Sequence, residues 1–346
     1  MAPARAEVRI RCRRWTRKTT LPSETNPKMS VVPLAPHCAC SRASRASQIG
    51  CGGATPEPEP RATPMCGRRR APTEVRKRGL TQPSKTTMQK ISFSFGRNWN
   101  RYVRTVDDAK IAGAVEDIRA RLGTGVRGKC VVDVGCGSGI HSLAFRRLGA
   151  SRVVSFDADP HSVTATTTLW NRENRPSSWE VRPGSILDPR MIASLGQFDV
   201  VYSWGVLHHT GAMWQAIENA AKLVAVGGAM WIALYVAGPR YERDLAVKRT
   251  FNAAADPVKW AIVAREVLRA MYGNALQHKN PLAWNRQKER GMSVYYDIWD
   301  WLGGLPYEVA SREEVGEFLT ARGFESEGFE GAGEGCCANY LYRRRA

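Results

Sequence analysis

The sequence lacks any uninterrupted run of about 20 apolar residues, the length a membrane-spanning helix requires. One of its longest uncharged stretches, residues 223–239, is broken by Gly227-Gly228, so no integral membrane segment is expected. Paired Cys-x-x-Cys spacing is also missing. Nine cysteines scattered over 346 residues argue against a disulfide framework and for a reducing compartment. A cytoplasmic location is the expectation. Aspartate is absent from residues 1–87, and neither apolar period is sustained there.

What is present divides the chain in two. Residues 1–87 hold 18 Lys+Arg against 5 Glu, with 11 of the 19 prolines and five of the nine cysteines. Such a segment cannot bury enough surface to offset its ordering entropy, so the expectation is a disordered basic Pro/Arg-rich tail. Three explanations compete: a tail that binds acidic surfaces, an organelle transit peptide, or sequence that is not translated, with the start at Met88. The last is favoured, and Glu57 and Glu59 among prolines oppose an amphipathic transit helix.

Residues 88–346 are closer to neutral, with 33 basic and 27 acidic side chains, and they alternate between strand and helix patterns. Helices are predicted at 106–122, 140–148, after Pro160, at 213–223 and at 312–321. Strands are predicted at 130–134, 152–156, near 179–181, at 198–203 and 229–235, and near 324–329 and 337–342. This order predicts an α/β fold, a doubly wound and mostly parallel sheet with helices on both faces. Apolar runs without alternation suit strands buried on both sides. Residues 240–290 interrupt the alternation after the fifth strand with a helical pattern and 11 Lys+Arg against 5 Asp+Glu. That insertion equals the whole basic excess of the domain.

The strongest local signal is Val131-Val132-Asp133-Val134-Gly135-Cys136-Gly137-Ser138-Gly139. A strand runs into Gly-x-Gly-x-Gly and a helix follows, so the backbone can turn tightly and approach a ligand with no Cβ in the way. At the carboxyl edge of a parallel sheet this is where a nucleotide-like ligand binds. A dinucleotide fingerprint would be G-x-G-x-x-G; here the third glycine comes one residue early. Asp157 ends the second strand, placed to accept hydrogen bonds from two ribose hydroxyls.

These residues resemble the class I S-adenosylmethionine-dependent methyltransferases over roughly 91–343. Asp133, Gly135, Gly137 and Gly139 look like the superfamily's first motif, and Asp157 matches its ribose-holding acid. Gly184-Ser185-Ile186-Leu187-Asp188 resembles the segment after the third strand, which implies Ile186 against the adenine ring and Asp188 at its amino group. Phe198-Asp199-Val200-Val201-Tyr202-Ser203-Trp204-Gly205-Val206-Leu207-His208-His209 resembles the fourth-strand motif, with Ser203 on the cofactor side. The resemblance is greatest to the small-molecule branch typified by ubiquinone-biosynthesis O-methyltransferases. It implies S-adenosyl-L-methionine as cofactor and a seven-stranded Rossmann-like sheet whose last strand is antiparallel.

Methyl transfer from a sulfonium is an in-line displacement, so the protein mainly binds, aligns and excludes water. Alignment alone supplies roughly 7–11 kcal/mol of barrier reduction. A hydroxyl acceptor must also lose a proton. His208 and His209 follow the fourth strand, and an imidazole there could serve as base or simply order the loop. Adjacent side chains diverge and no third ligand accompanies them, so no metal centre is expected. Two aromatic segments, 93–99 and 291–301, suit either the walls of an acceptor pocket or packing against each other. Tyr295 is a candidate to orient or deprotonate the acceptor. Within the insertion, Trp260, Val263, Ala264, Val267, Leu268 and Met271 recur at helical spacing, with Lys259, Arg265 and Arg269 off that stripe. Such a helix is expected as a lid with a solvated outer face; the alternative is peripheral contact with a membrane.

The expected function is therefore S-adenosylmethionine-dependent methyl transfer to a small-molecule acceptor, with a hydroxyl favoured. An RNA- or protein-directed methyltransferase and a non-catalytic S-adenosylmethionine-binding protein are the alternatives. Nucleic acid is disfavoured, because Tyr202-Ser203-Trp204-Gly205 stands where amino-directed nucleic-acid enzymes of this superfamily often carry a Pro-Pro-Tyr type motif.

Overall fold

The computed structural model describes residues 93–285, 291–333 and 335–346; the expectations for residues 1–87 lie outside them. A short helix α1 (Phe95–Tyr102) leads through a 3-10 turn into α2 (Asp108–Leu122). Five strands alternating with four helices follow: β1 (Cys130–Val134), α3 (Ile140–Arg147), β2 (Arg152–Asp157), α4 (Pro160–Arg172), β3 (Trp179–Pro183), α5 (Pro189–Leu195), β4 (Phe198–Trp204), α6 (Met213–Lys222) and β5 (Val224–Tyr235). After β5 come α7 (Tyr241–Ala253), α8 (Asp256–Leu276), a 3-10 turn at Pro281–Asn285 and α9 (Val294–Gly303). The chain closes with α10 (Arg312–Thr320), β6 (Phe324–Glu330) and β7 (Cys337–Arg344).

The seven strands lie in the order β3-β2-β1-β4-β5-β7-β6. β1 to β5 pair in parallel, and β7 runs antiparallel to both β5 and β6. The order reverses direction between β1 and β4, which makes their carboxyl ends the crevice where this architecture takes ligands.

Alternation along the strands fills both layers. Val132 and Val134 join one core cluster with α5, α6 and α10, while Val131 joins another with α2, α3 and α4. Each fully buried Val, Leu, Ile or Phe side chain contributes roughly 1.5–3 kcal/mol, so β1 is fixed from both sides. Local chemistry sets the helix starts. Asp107 accepts the N–H of Lys110 at 2.9 Å ahead of α2, and Ser311 with Glu314 forms a reciprocal capping box on α10. β5 begins five residues earlier than its apolar run predicts. Gly228 lies so close to the carbonyls of Phe198 and Asp199 that the strand crosses the glycine pair through an irregular register.

Among the described residues, no helix is long and apolar enough to cross a membrane.

Candidate active site

Glycine is required in the turn after β1 for two separate reasons. Gly135, Gly137 and Gly139 have φ of +73°, +54° and +78°, a region that costs other residues roughly 1–2 kcal/mol. There is also no room for side chains. A Cβ on Gly135 would fall 2.4 Å from Val206 Cγ1, and one on Gly137 would fall 3.1 Å from the Trp99 indole nitrogen. The turn is held from below: the Gly135 and Cys136 amides donate to the Phe156 carbonyl at 2.8 and 3.1 Å.

Asp157 ends β2 beside this turn. Its Oδ2 accepts the Gly137 N–H at 3.0 Å and its Oδ1 the Asp159 N–H at 2.8 Å. Burial pushes its carboxyl up to about 6, against which those two amide bonds pull. Asp133 is 2% exposed and lies at the end of a buried relay. Trp179 Nε1 donates to Ser155 Oγ, Ser155 to Ser142, and Ser142 to Asp133 Oδ2. Burial raises Asp133 to about 7. This acid ties the end of β1 to α3 through Ser142, a role the sequence pattern did not separate from ligand contact. Cys136 is a buried filler whose sulfur accepts from Thr166 Oγ1.

The other sequence-derived cofactor positions have structural partners of their own. Ser203 is fully buried and donates to the Val134 carbonyl at 3.0 Å, which ties β4 to β1. Ile186 is 5% exposed and packs in the core under α5 and α6. Asp188 is exposed and caps α5, its Oδ1 accepting the N–H groups of Arg190 and Met191.

A strap crosses the carboxyl edge. The Ser94 hydroxyl and the Gly96 N–H both donate to Asp159 Oδ2, at 3.0 and 2.9 Å. A Cβ on Gly96 would meet the Ser162 backbone nitrogen at 2.4 Å, so only glycine allows α1 this approach to α4. Further along, Asn98 Nδ2 donates to Asp300 Oδ1 at 2.8 Å and to the Tyr296 carbonyl at 3.1 Å. Phe93 packs on Gly303, and the Phe95 ring lies 4.9 Å from that of His209. The two aromatic segments thus pack against each other and, in doing so, roof the edge.

His208 and His209 differ sharply. His208 is fully buried; its Nδ1 accepts the Tyr235 N–H at 3.4 Å, which leaves Nε2 as a proton-bearing nitrogen with no hydrogen-bond partner. That nitrogen is itself enclosed, so as placed His208 presents neither a donor nor a lone pair to a ligand. His209 Nδ1 contacts the Pro306 carbonyl at 2.6 Å and must donate there, so its Nε2 is the accepting nitrogen. Burial, with the nearby Lys248, drives His209 down to about 3. Tyr295 is not brought to either histidine. It packs with Phe251, Val263 and Leu302 between α7, α8 and α9, and its N–H donates to Asn285 Oδ1.

The sequence reading missed Lys248. On α7 it follows Arg240 and Asp244 at four-residue steps and reads as part of a solvated basic face. Instead it is fully buried. Its Nζ donates to the Trp301 carbonyl and lies 4.5, 4.7 and 5.4 Å from the ring centroids of Trp301, Tyr307 and Tyr235. Burial lowers its pKa from 10.5 to about 7. Asp244 is 1% exposed, and its Oδ2 has no hydrogen-bond partner among the described residues. Lys248, Tyr235 and the histidines thus form one buried polar group at the carboxyl end of β5.

The donor set fits an adenosyl sulfonium. The turn after β1 is built of glycines at positive φ, which keeps its backbone free of Cβ atoms, and a carboxylate stands at the neighbouring strand end as a ribose site requires. Residues 107–270 match the family model described as methyltransferase domain. The chain is 31% identical over 114 residues to a mitochondrial ubiquinone biosynthesis O-methyltransferase of Dictyostelium discoideum, covering 31% of this chain and 36% of that one. It is 57% identical over 44 residues to a ribosomal protein L11 methyltransferase of Alteromonas mediterranea, covering 13% and 15%. The chain thus spans about a third or less of the length of these relatives. Among solved structures, magnesium protoporphyrin IX methyltransferase of Synechocystis with bound SAH is similar at 15% identity and a TM-score of 0.45, covering 72% of this chain and 95% of that one.

Proposed function

We propose that this chain, which belongs to the class I S-adenosylmethionine-dependent methyltransferases, methylates the hydroxyl of a small-molecule acceptor. The observation that carries the acceptor class is the roof. α1 and α9, joined through Asn98 and Asp300, cover the carboxyl edge with aromatic side chains, which suits an enclosed small molecule better than a nucleic-acid duplex or a folded protein.

S-adenosyl-L-methionine, when bound, supplies an already activated methyl group. Gly135, Gly137 and Gly139 would give it backbone approach, Asp157 would take the ribose hydroxyls, and Ile186 and Asp188 the adenine. Asp133 and Ser203 act beneath, by fixing the end of β1 and the β4–β1 contact. The roof excludes water, and Phe95 with His209 forms one wall of the acceptor space. His209 Nε2 receives the acceptor hydroxyl as a hydrogen bond and orients it.

Incubation of a metabolite extract with isotopically labelled S-adenosylmethionine, followed by mass spectrometry, tests this reading. Label in a hydroxyl-bearing small molecule is the expected result. Label confined to the RNA or protein fraction would overturn the acceptor class.

A further inference from the structure

We propose that the outward face of α8 docks the protein on an anionic lipid surface. Among the described residues, the exposed large apolar side chains are concentrated here: Val258, Trp260, Leu268, Tyr272, Leu276 and, in the turn that follows, Leu282. Only Val226 of that class lies elsewhere. Leu268 and Leu282 are 63% and 77% exposed. Ala261, Leu268, Tyr272 and Leu276 recur at seven- and four-residue steps, which puts them on one strip of the helix.

The inner side is different. Val263 and Val267 pack on Phe251, Leu302 and Trp299, and Glu266 is 7% exposed. The helix is therefore apolar on two faces, of which the domain covers one. The solvated outer face expected for a packed lid is not what the structure has. Arg265 and Arg269 flank the outer strip with 56% and 41% of their side chains exposed, and both pair with Glu266.

Charge selects the occupant. By sequence, residues 240–285 hold eight basic and four acidic side chains; Lys248, Asp244 and Glu266 are buried, which leaves seven basic and two acidic ones outside the core. A second copy would meet this face through a two-fold contact that sets two such segments together. Nucleic acid would satisfy the arginines and leave Leu268, Leu276 and Leu282 uncovered, because aliphatic side chains give bases no stacking surface. An anionic bilayer satisfies both: the acyl boundary takes the strip, and the headgroups take the guanidinium tips.

The test is sedimentation of the full chain with vesicles of phosphatidylcholine alone and of phosphatidylcholine mixed with phosphatidylglycerol. Binding to the mixed vesicles that weakens with added salt is expected. Leu268→Ser and Leu276→Ser should each reduce it roughly tenfold, with the circular dichroism spectrum and cofactor affinity unchanged because both positions are exposed. No binding to either vesicle would overturn the proposal. So would a dimer in light scattering that Leu268→Ser dissolves, or binding to RNA that the same variant abolishes. None of these readouts depends on which acceptor the enzyme methylates, so the docking surface and the acceptor class fail separately.

Discussion

Oδ2 of Asp157 accepts the backbone N–H of Gly137 at 3.0 Å, so the acid at the end of one strand holds the turn at the end of its neighbour. A ligand that binds this carboxylate and a ligand that lies along the turn bind one unit. Trp99 rests on the same glycine, which extends the unit to the strap.

Cofactor affinity should depend on pH through Asp157. Its carboxyl sits at about 6 in the free protein, and only the ionised form accepts from both ribose hydroxyls. Affinity measured by calorimetry should be level above about pH 7 and fall as pH drops through 6. Asp157→Ala should weaken binding on the order of 100-fold, from charge-assisted hydrogen bonds of about 1.5–3 kcal/mol. Asp157→Asn should bind weakly with a flat profile between pH 5 and 8. An unchanged slope in Asp157→Asn would refute the ribose assignment.

Gly96→Ala should lift the strap. The added Cβ meets backbone at 2.4 Å, a contact no rotamer can relieve, so a cost of about 1–3 kcal/mol is expected. Limited proteolysis should then cut within 93–102, where the parent resists. Equal resistance in the two proteins would show that α1 does not depend on this approach.

The two histidines should separate by readout. His208→Ala removes a fully buried ring packed on Tyr235 at 4.1 Å between centroids and should lower stability by on the order of 2–4 kcal/mol. His209→Ala should leave cofactor affinity within a few-fold and lower kcat by roughly 100-fold. Unchanged turnover in His209→Ala would remove the orienting role.

Lys248 should give the fold an alkaline gain in stability. Its pKa falls from 10.5 in the unfolded chain to about 7 in the folded one, so between these values the unfolded chain binds the extra proton. Stability therefore rises with pH across that window, by at most roughly 1.4 kcal/mol per pH step, and the burial penalty is fully present below about 7. Denaturant unfolding at several pH values should show this rise in the parent and lose it in Lys248→Met. Parallel profiles would mean that the amine is not held neutral.

The centre of the sheet was legible from the chain because its strands are buried on both faces. β1 therefore reads as an apolar run interrupted only by Asp133, and the glycines mark its end. What escaped did so for local reasons. α5 has seven residues, too few to show a period, so its cap Asp188 read purely as a ligand contact. The buried side of α8 was misjudged at Trp260, Ala264 and Leu268. Glu266 goes inward under its two arginines, and that turns the helix away from the face its apolar residues alone would choose. Lys248 was hidden by its own charge: among eleven basic residues, nothing in the sequence marks the one that three aromatic rings enclose.

The eight residues of α1 reach the glycine turn through Trp99, the loop after β2 through Gly96, and the α9 wall through Asn98. Because one short helix ties down both the glycine turn and the α9 wall, a change that lifts α1 should loosen the two together rather than one at a time.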